Sequence, residues 1–142
     1  MDPLGRSSNC IATRVPLKYG KCVNNRLDFY NIVFDLAKDQ PRLKPYYIGV
    51  KKTITLMMRM EADVVVMTTP DLDNFYIKRS LMQKDIHYIF VPHDPSSMHM
   101  GFREHSLDNF DAIFCSGPHI AQEVRASEKV YGTKEKELVE FG

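Results

Sequence analysis

Four apolar runs open at Asp63, His87, Asp111 and Glu137, spaced 24, 24 and 26 residues apart. This regular interval limits the fold more narrowly than any other property of the chain. A strand, a returning helix and two loops consume about that length, whereas a hairpin would need far less. Crossovers of this kind are right-handed and make the strands they join parallel. Asp63-Val64-Val65-Val66-Met67 is moreover continuously apolar, as suits a strand covered on both faces. The expectation is an α/β fold, a doubly wound parallel sheet of Rossmann-like type.

The intervening segments fit that expectation by helical spacing. Ile54, Met57 and Met58 share a face of a helix predicted over 51–60, and Leu72, Phe75, Tyr76 and Arg79 recur at helical intervals over 71–82. A short helix is predicted over 102–110. Gly117-Pro118 opens another, because proline suits the first helical position, where its missing N–H is not needed. Ile120, Val124 and Tyr131 form its inner stripe and Gly132 is its stop. Met57, Met58, Met60 and Met67 read as core filler. Upstream, 46–50 reads as a strand, and 31–37 as either a short helix or a strand ending before Pro41. The chain thus divides into an irregular segment, 1–44, and an α/β domain, 45–142, expected to be incomplete at its C-terminal end.

Charge and cysteine usage narrow the function classes. The 19 basic and 18 acidic residues nearly cancel, so the basic stripe of a nucleic-acid binder is missing. No apolar run approaches the roughly 20 residues of a membrane span. Cys10, Cys22 and Cys115 have no metal-ligand spacing and read as free thiols in a reducing cytoplasm.

Chemistry gathers where the strands end. The first run stops at Thr68-Thr69-Pro70, the second at Pro92-His93-Asp94-Pro95-Ser96-Ser97, and the third at Ser116-Gly117-Pro118-His119. In open α/β sheets ligands bind outside the carboxyl ends of the strands. All five histidines fall between His87 and His119. His87 begins a buried strand and reads as structural, and His105 lies in a polar stretch and reads as a surface residue. His93 sits on a loop carried by the sheet, and its unperturbed pKa of about 6.5 suits a general base. Thr68, Thr69, Ser96, Ser97 and Ser116 offer neutral hydrogen bonds to a polyol or phosphate. His119 stands beside free amides at a helix start, where an anion is favoured. No glycine-rich phosphate loop or dinucleotide fingerprint occurs, and Ser96 and Ser97 lack the elbow of a serine nucleophile. No metal cofactor is expected. A hydrolase using His93, Asp94, His99 and His119 around a metal is the weaker rival, since these residues lack a helical ligand spacing.

From about residue 47 to 142 the chain resembles the CDP-glycerol glycerophosphotransferases, which build teichoic-acid-type glycerol phosphate chains. The resemblance rests on Ala62-Asp63-Val64-Val65-Val66-Met67-Thr68-Thr69-Pro70-Asp71-Leu72-Asp73, on the loop from His93 to Gly101, on Phe110-Asp111-Ala112-Ile113-Phe114-Cys115-Ser116-Gly117-Pro118, and on the ending through Leu138-Val139-Glu140-Phe141-Gly142. It implies the first half of a two-domain, GT-B-type glycosyltransferase architecture. It implies His93 as the base, with Pro92, Gly101, Gly117 and Pro118 shaping the site. Asp94 and Pro95 depart from the family, which usually has glycine and threonine there. CDP-glycerol would be the donor, and a glycerol-phosphate-type, lipid-linked chain the acceptor. The donor-binding second half would be a separate partner domain, leaving the 142-residue chain inactive by itself. The location implied is cytoplasmic, peripheral at the inner membrane face. The alternative is a non-catalytic α/β module that holds a phosphorylated glycan or a partner domain on the same rim.

Overall fold

In the computed structural model, which describes residues 38, 50–92 and 97–141, the four regularly spaced apolar runs form a single parallel sheet. They are β1 (Val64–Met67), β2 (His87–Phe90), β3 (Ala112–Cys115) and β4 (Glu137–Glu140), each within a residue of its predicted bounds. Every neighbouring pair is parallel and the order is β1-β2-β3-β4. This confirms the α/β class. The order is consecutive, so the reversal that defines a doubly wound sheet does not occur among the described strands.

Consecutive order and right-handed crossovers together carry each connection back over the same face. The pairings Val65↔Tyr88, Met67↔Phe90 and Phe90↔Ile113 put these side chains on one side of the sheet. There they share a core with Met57, Met60, Leu72, Ile77, Ile120 and Val124. Phe90 is fully buried, its ring edge-on to Phe102 at 5.4 Å and tilted against Phe110 at 5.3 Å. The opposite face is more open: Val64 and Val66 are 46% and 38% exposed, against 3% and 2% for Val65 and Met67. Alternation along one strand therefore separates a dry face from a wet one, although all four residues are apolar.

Among the described residues from 50 onward, the helices beside the sheet are α1 (Val50–Met58), α2 (Met98–Gly101) and α3 (Pro118–Tyr131). Val50 opens α1 instead of closing a strand, and 46–49 lie outside the described residues, as do 31–37. In α1, Met57 is buried and Met58 half-buried as expected, but Ile54 is 37% exposed. In α3 the inner stripe continues through Ile120 and Val124 to Glu128, while Tyr131 is only half-buried. The Glu128 carboxylate accepts the Lys136 amide at 2.9 Å and Arg125 at 2.7 Å. Arg125 also donates to the Lys136 carbonyl at 3.0 Å, tying the end of α3 to the approach to β4. Gly132 ends the helix in the left-handed region, φ 63°, where a side chain would be strained.

Two predicted helices are absent, for a common physical reason. Residues 71–82 form turns, with Asp71 and Asp73 at positive φ. The Asp73 carboxylate accepts the Arg79 amide, and the Ser80 hydroxyl accepts the amides of Met82 and Gln83 while donating to the Met60 carbonyl. Side-chain bonds of this kind compete with the helix for the same backbone groups. Leu72 and Ile77 are buried, whereas Phe75 and Tyr76 are 53% and 65% exposed, a spacing no helical face produces. Within 102–110 the chain also turns, with His105 at positive φ. Asn109 reaches back to the Leu72 carbonyl, and Arg79 bonds the Asn109 carbonyl and the Asp111 carboxylate, its guanidinium 4.6 Å over the Tyr88 ring. Polar cross-links thus hold both connections in place of helical ladders. Cys115 is a free, fully buried thiol, and burial pushes its pKa up; Cys10 and Cys22 lie outside the described residues.

Candidate functional site

Parallel strands all end on one edge, and here the chain leaves the sheet at Thr68, Val91, Ser116 and Phe141. The cross-strand ladder runs on past β2 and β4, since Val91 donates to the Met67 carbonyl at 2.8 Å and Phe141 to the Cys115 carbonyl at 3.0 Å. Half-buried Pro92 follows directly. Topology therefore brings Thr68, Thr69, Pro92, Ser116, Gly117, Pro118 and His119 to a common rim. His93, Asp94, Pro95 and Ser96 lie outside the described residues.

Two of the hydroxyls on this rim, those of Thr68 and Ser116, share an unusual state. Both oxygens are fully buried, and neither has a hydrogen-bond partner among the described residues. A buried hydroxyl left without a partner costs on the order of 1–3 kcal/mol. Strand-end and capping duty, the ordinary use of such residues, would have supplied a backbone partner. β1 and β3 flank β2, so the two hydroxyls stand on either side of the strand that leads to His93. With about 4.8 Å per strand and Ser116 two residues further along than Thr68, their backbones are separated by roughly 12 Å. Ser106 carries a third such oxygen, in the loop whose carbonyl receives the Asp71 amide at 2.8 Å.

After Ser116 the chain passes Gly117 and enters α3 with Pro118 at its first turn and no side-chain cap. The first amides of a helix carry partial positive charge and favour an anion. Gly117 is buried, and a Cβ there would stand 3.0 Å from the His119 ring. The imidazole thus folds over the glycine, on the rim side of the helix start.

The second half of the β2 loop lands against α3. Ser97 caps α2, its oxygen accepting the Met100 amide at 3.4 Å, and donates to Glu123 Oε2 at 3.0 Å. The His99 amide donates to the same oxygen at 3.3 Å. Burial alone would raise the Glu123 carboxyl. The bonds from His99, Ser97 and Met98, with His119 nearby, bring it below the usual carboxylate value. Gly101 closes this turn, its amide on the Ser97 carbonyl at 3.0 Å.

The predicted site residues are thus divided. Thr68, Ser116, Gly117, Pro118 and His119 line the rim, with half-buried Thr69 beside Thr68. Ser97 works as a helix cap and anchor, and Gly101 is exposed at the far end of α2. Two histidines outside the rim have partners near the surface: His87 stands 3.9 Å from Glu137, and His105 lies 2.7 Å from Asp108 with its ring against Tyr131. Among the described residues no group of three or more His, Cys, Asp or Glu side chains could hold a metal ion. None of their helices is long and apolar enough to cross a membrane. Glu123 was not foreseen. Its position one turn after His119, on the α3 face carrying that residue, was the available signal. No protein-family model, curated protein or solved structure matches the chain.

Proposed function

We propose that this rim is the acceptor-side wall of a glycerophosphotransferase, and that the sheet is part of a Rossmann-like domain of GT-B type. The acceptor is a glycerol-phosphate-type chain, lipid-linked by the resemblance, and CDP-glycerol is the donor. His93 takes the proton from the terminal acceptor hydroxyl as its oxygen bonds to the β-phosphorus. The bond from that phosphorus to the bridging oxygen breaks, and CMP leaves with the electron pair. General-base help of this kind is typically worth ~10²–10⁴-fold, and positioning and charge neutralisation supply most of the rest in phosphoryl transfer.

The observation that carries this reading is the pair of buried hydroxyls at Thr68 and Ser116, without a hydrogen-bond partner among the described residues, on either side of the strand leading to His93. Neutral donors and acceptors beside a helix N-terminus suit a polyol phosphate, which offers hydroxyls and one negative charge per unit. A purely structural hydroxyl and a ligand-holding one behave oppositely when removed. Thr68→Val should keep or raise the melting temperature, because it removes an unpaired polar group, and should weaken binding of a glycerol phosphate oligomer roughly five- to twentyfold. Ser116→Ala should do the same. Calorimetric titration checks both, and unchanged affinity in both variants would remove the assignment. In a full-length enzyme carrying this segment, His93→Ala should abolish CMP release while sparing acceptor binding. Undiminished transfer by that variant would leave a binding module.

A further inference from the structure

We propose that Arg103, stacked on Phe75 and tied to Asp71, is a second anion-binding point beside the rim, so that the ligand is an oligomer carrying at least two phosphates. The inference rests on the reading above for the polyol phosphate, and its own observations lie on the β1 side. Asp71 is three residues beyond Thr68, a reach of at most about 11 Å. Arg103 follows Phe102, whose ring lies edge-on at 5.4 Å from that of Phe90, the last residue of β2. Both connections put Arg103 beside the ends of β1 and β2.

None of the rim residues carries a permanent positive charge, yet each unit of the ligand brings a negative one. Arg103 supplies what the rim lacks. Its guanidinium lies 4.5 Å over the Phe75 ring and donates through Nη2 to Asp71 Oδ2 at 2.7 Å. Asp71 is its one acceptor among the described residues, and this bond engages one of the several N–H donors of the group. The arginine side chain is 65% exposed, which leaves the rest of the fork accessible. Stacking and the single bond fix the plane of that fork, and a fixed fork matches two phosphate oxygens at once.

Asp71 is itself firmly held. Its amide donates to the Ser106 carbonyl at 2.8 Å, and its φ of 68° is uncommon outside glycine. Asn74 ties the same two loops again, its side-chain amide donating to the His105 carbonyl at 2.8 Å. A carboxylate beside an anion site opposes binding, but so exposed an ion pair is weak and yields to a doubly bonded phosphate. Asp71 therefore aims the arginine while weakening its attraction for anions.

Calorimetric titration of the whole chain with glycerol phosphate, and with its oligomers of two to four units, separates the possibilities. Wild-type affinity should rise about tenfold or more from the single unit to the oligomers, because a tethered second phosphate binds at high effective concentration. Arg103→Gln should lose most of that rise while leaving the single unit within about twofold. Asp71→Asn removes only the charge and should bind the oligomers roughly two- to fivefold more tightly. If Arg103→Gln does not fold, Arg103→Lys decides, since lysine keeps the charge but not the planar fork. It should weaken the oligomers about threefold or more and spare the single unit. A wild-type affinity that does not grow with length, or a rise that persists in folded Arg103→Gln, overturns the proposal. If Thr68→Val and Ser116→Ala leave oligomer affinity unchanged while Arg103→Gln removes the rise, Arg103 stands and the function proposed above does not. A wild-type chain that binds no oligomer overturns both.

Discussion

Residue by residue, the rim differs from the core in how its polar atoms are satisfied. Ser80, Asn109 and Glu128 are buried or half-buried and bonded to backbone groups, as interior polar groups almost always are. Thr68 and Ser116 break that pattern at the strand ends, and Ser106 breaks it in the loop before β3. Their residue types and positions were readable from the sequence, but their lack of partners depends on where neighbouring backbone atoms fall. Glu123 shows the same limit, because a glutamate on an amphipathic helix looks solvated until α2 is seen to land on it. Its depressed pKa carries a definite sign. The stabilisation it provides is complete above the ordinary glutamate value of about 4.3 and is lost as the pH falls through the lower folded value. Protection of the His99 amide, corrected for intrinsic exchange, should therefore drop on acidification below that ordinary value in the wild type. Glu123→Gln should show no such step, and an identical step in that variant would assign the titration to another group.

At the level of elements, the strands were legible and two of the connections were not. Continuous apolar runs such as Val64 to Met67 announce a strand in a parallel sheet. Helix α3 was legible from Pro118 at its start and Gly132 at its end, both of which act by backbone geometry. The segment 71–82 misled because Leu72, Phe75, Tyr76 and Arg79 recur there at helical intervals, and 102–110 was assigned a helix only as the connection between two strands. Asp73, Ser80 and Asn109 instead bond the backbone, and Asp71, Asp73 and His105 take positive φ. Polar residues that favour turns outweighed the spacing. The sheet makes its own prediction through alternation. Val65→Thr would put a hydroxyl into the dry face and should cost about 1–3 kcal/mol. Val66→Thr, on the more exposed face, should fall within about 0.5 kcal/mol of the wild type. Chemical denaturation of both variants checks the difference, and equal losses would contradict the register.

For the molecule as a whole, the interval between strand starts sufficed for the α/β class because each crossover needs its own length of chain. It did not determine strand order, which depends on how connections pack in space. The consecutive order leaves one face of the sheet carrying the shared core, and the parallel direction places every described strand end on a single rim. The catalytic wall and the glycan-holding module share that rim, and both require that a phosphorylated polyol dock there, whereas a module that holds a partner domain does not. Titration of the ¹⁵N-labelled chain with a glycerol phosphate oligomer, followed amide by amide, tests this most directly. Saturable shifts are expected at Thr68, Thr69, Ser116, Gly117 and His119, with His87 and Glu137 at the opposite ends of the strands unmoved. Shifts confined to those opposite ends, or none at any concentration of oligomer, would contradict it.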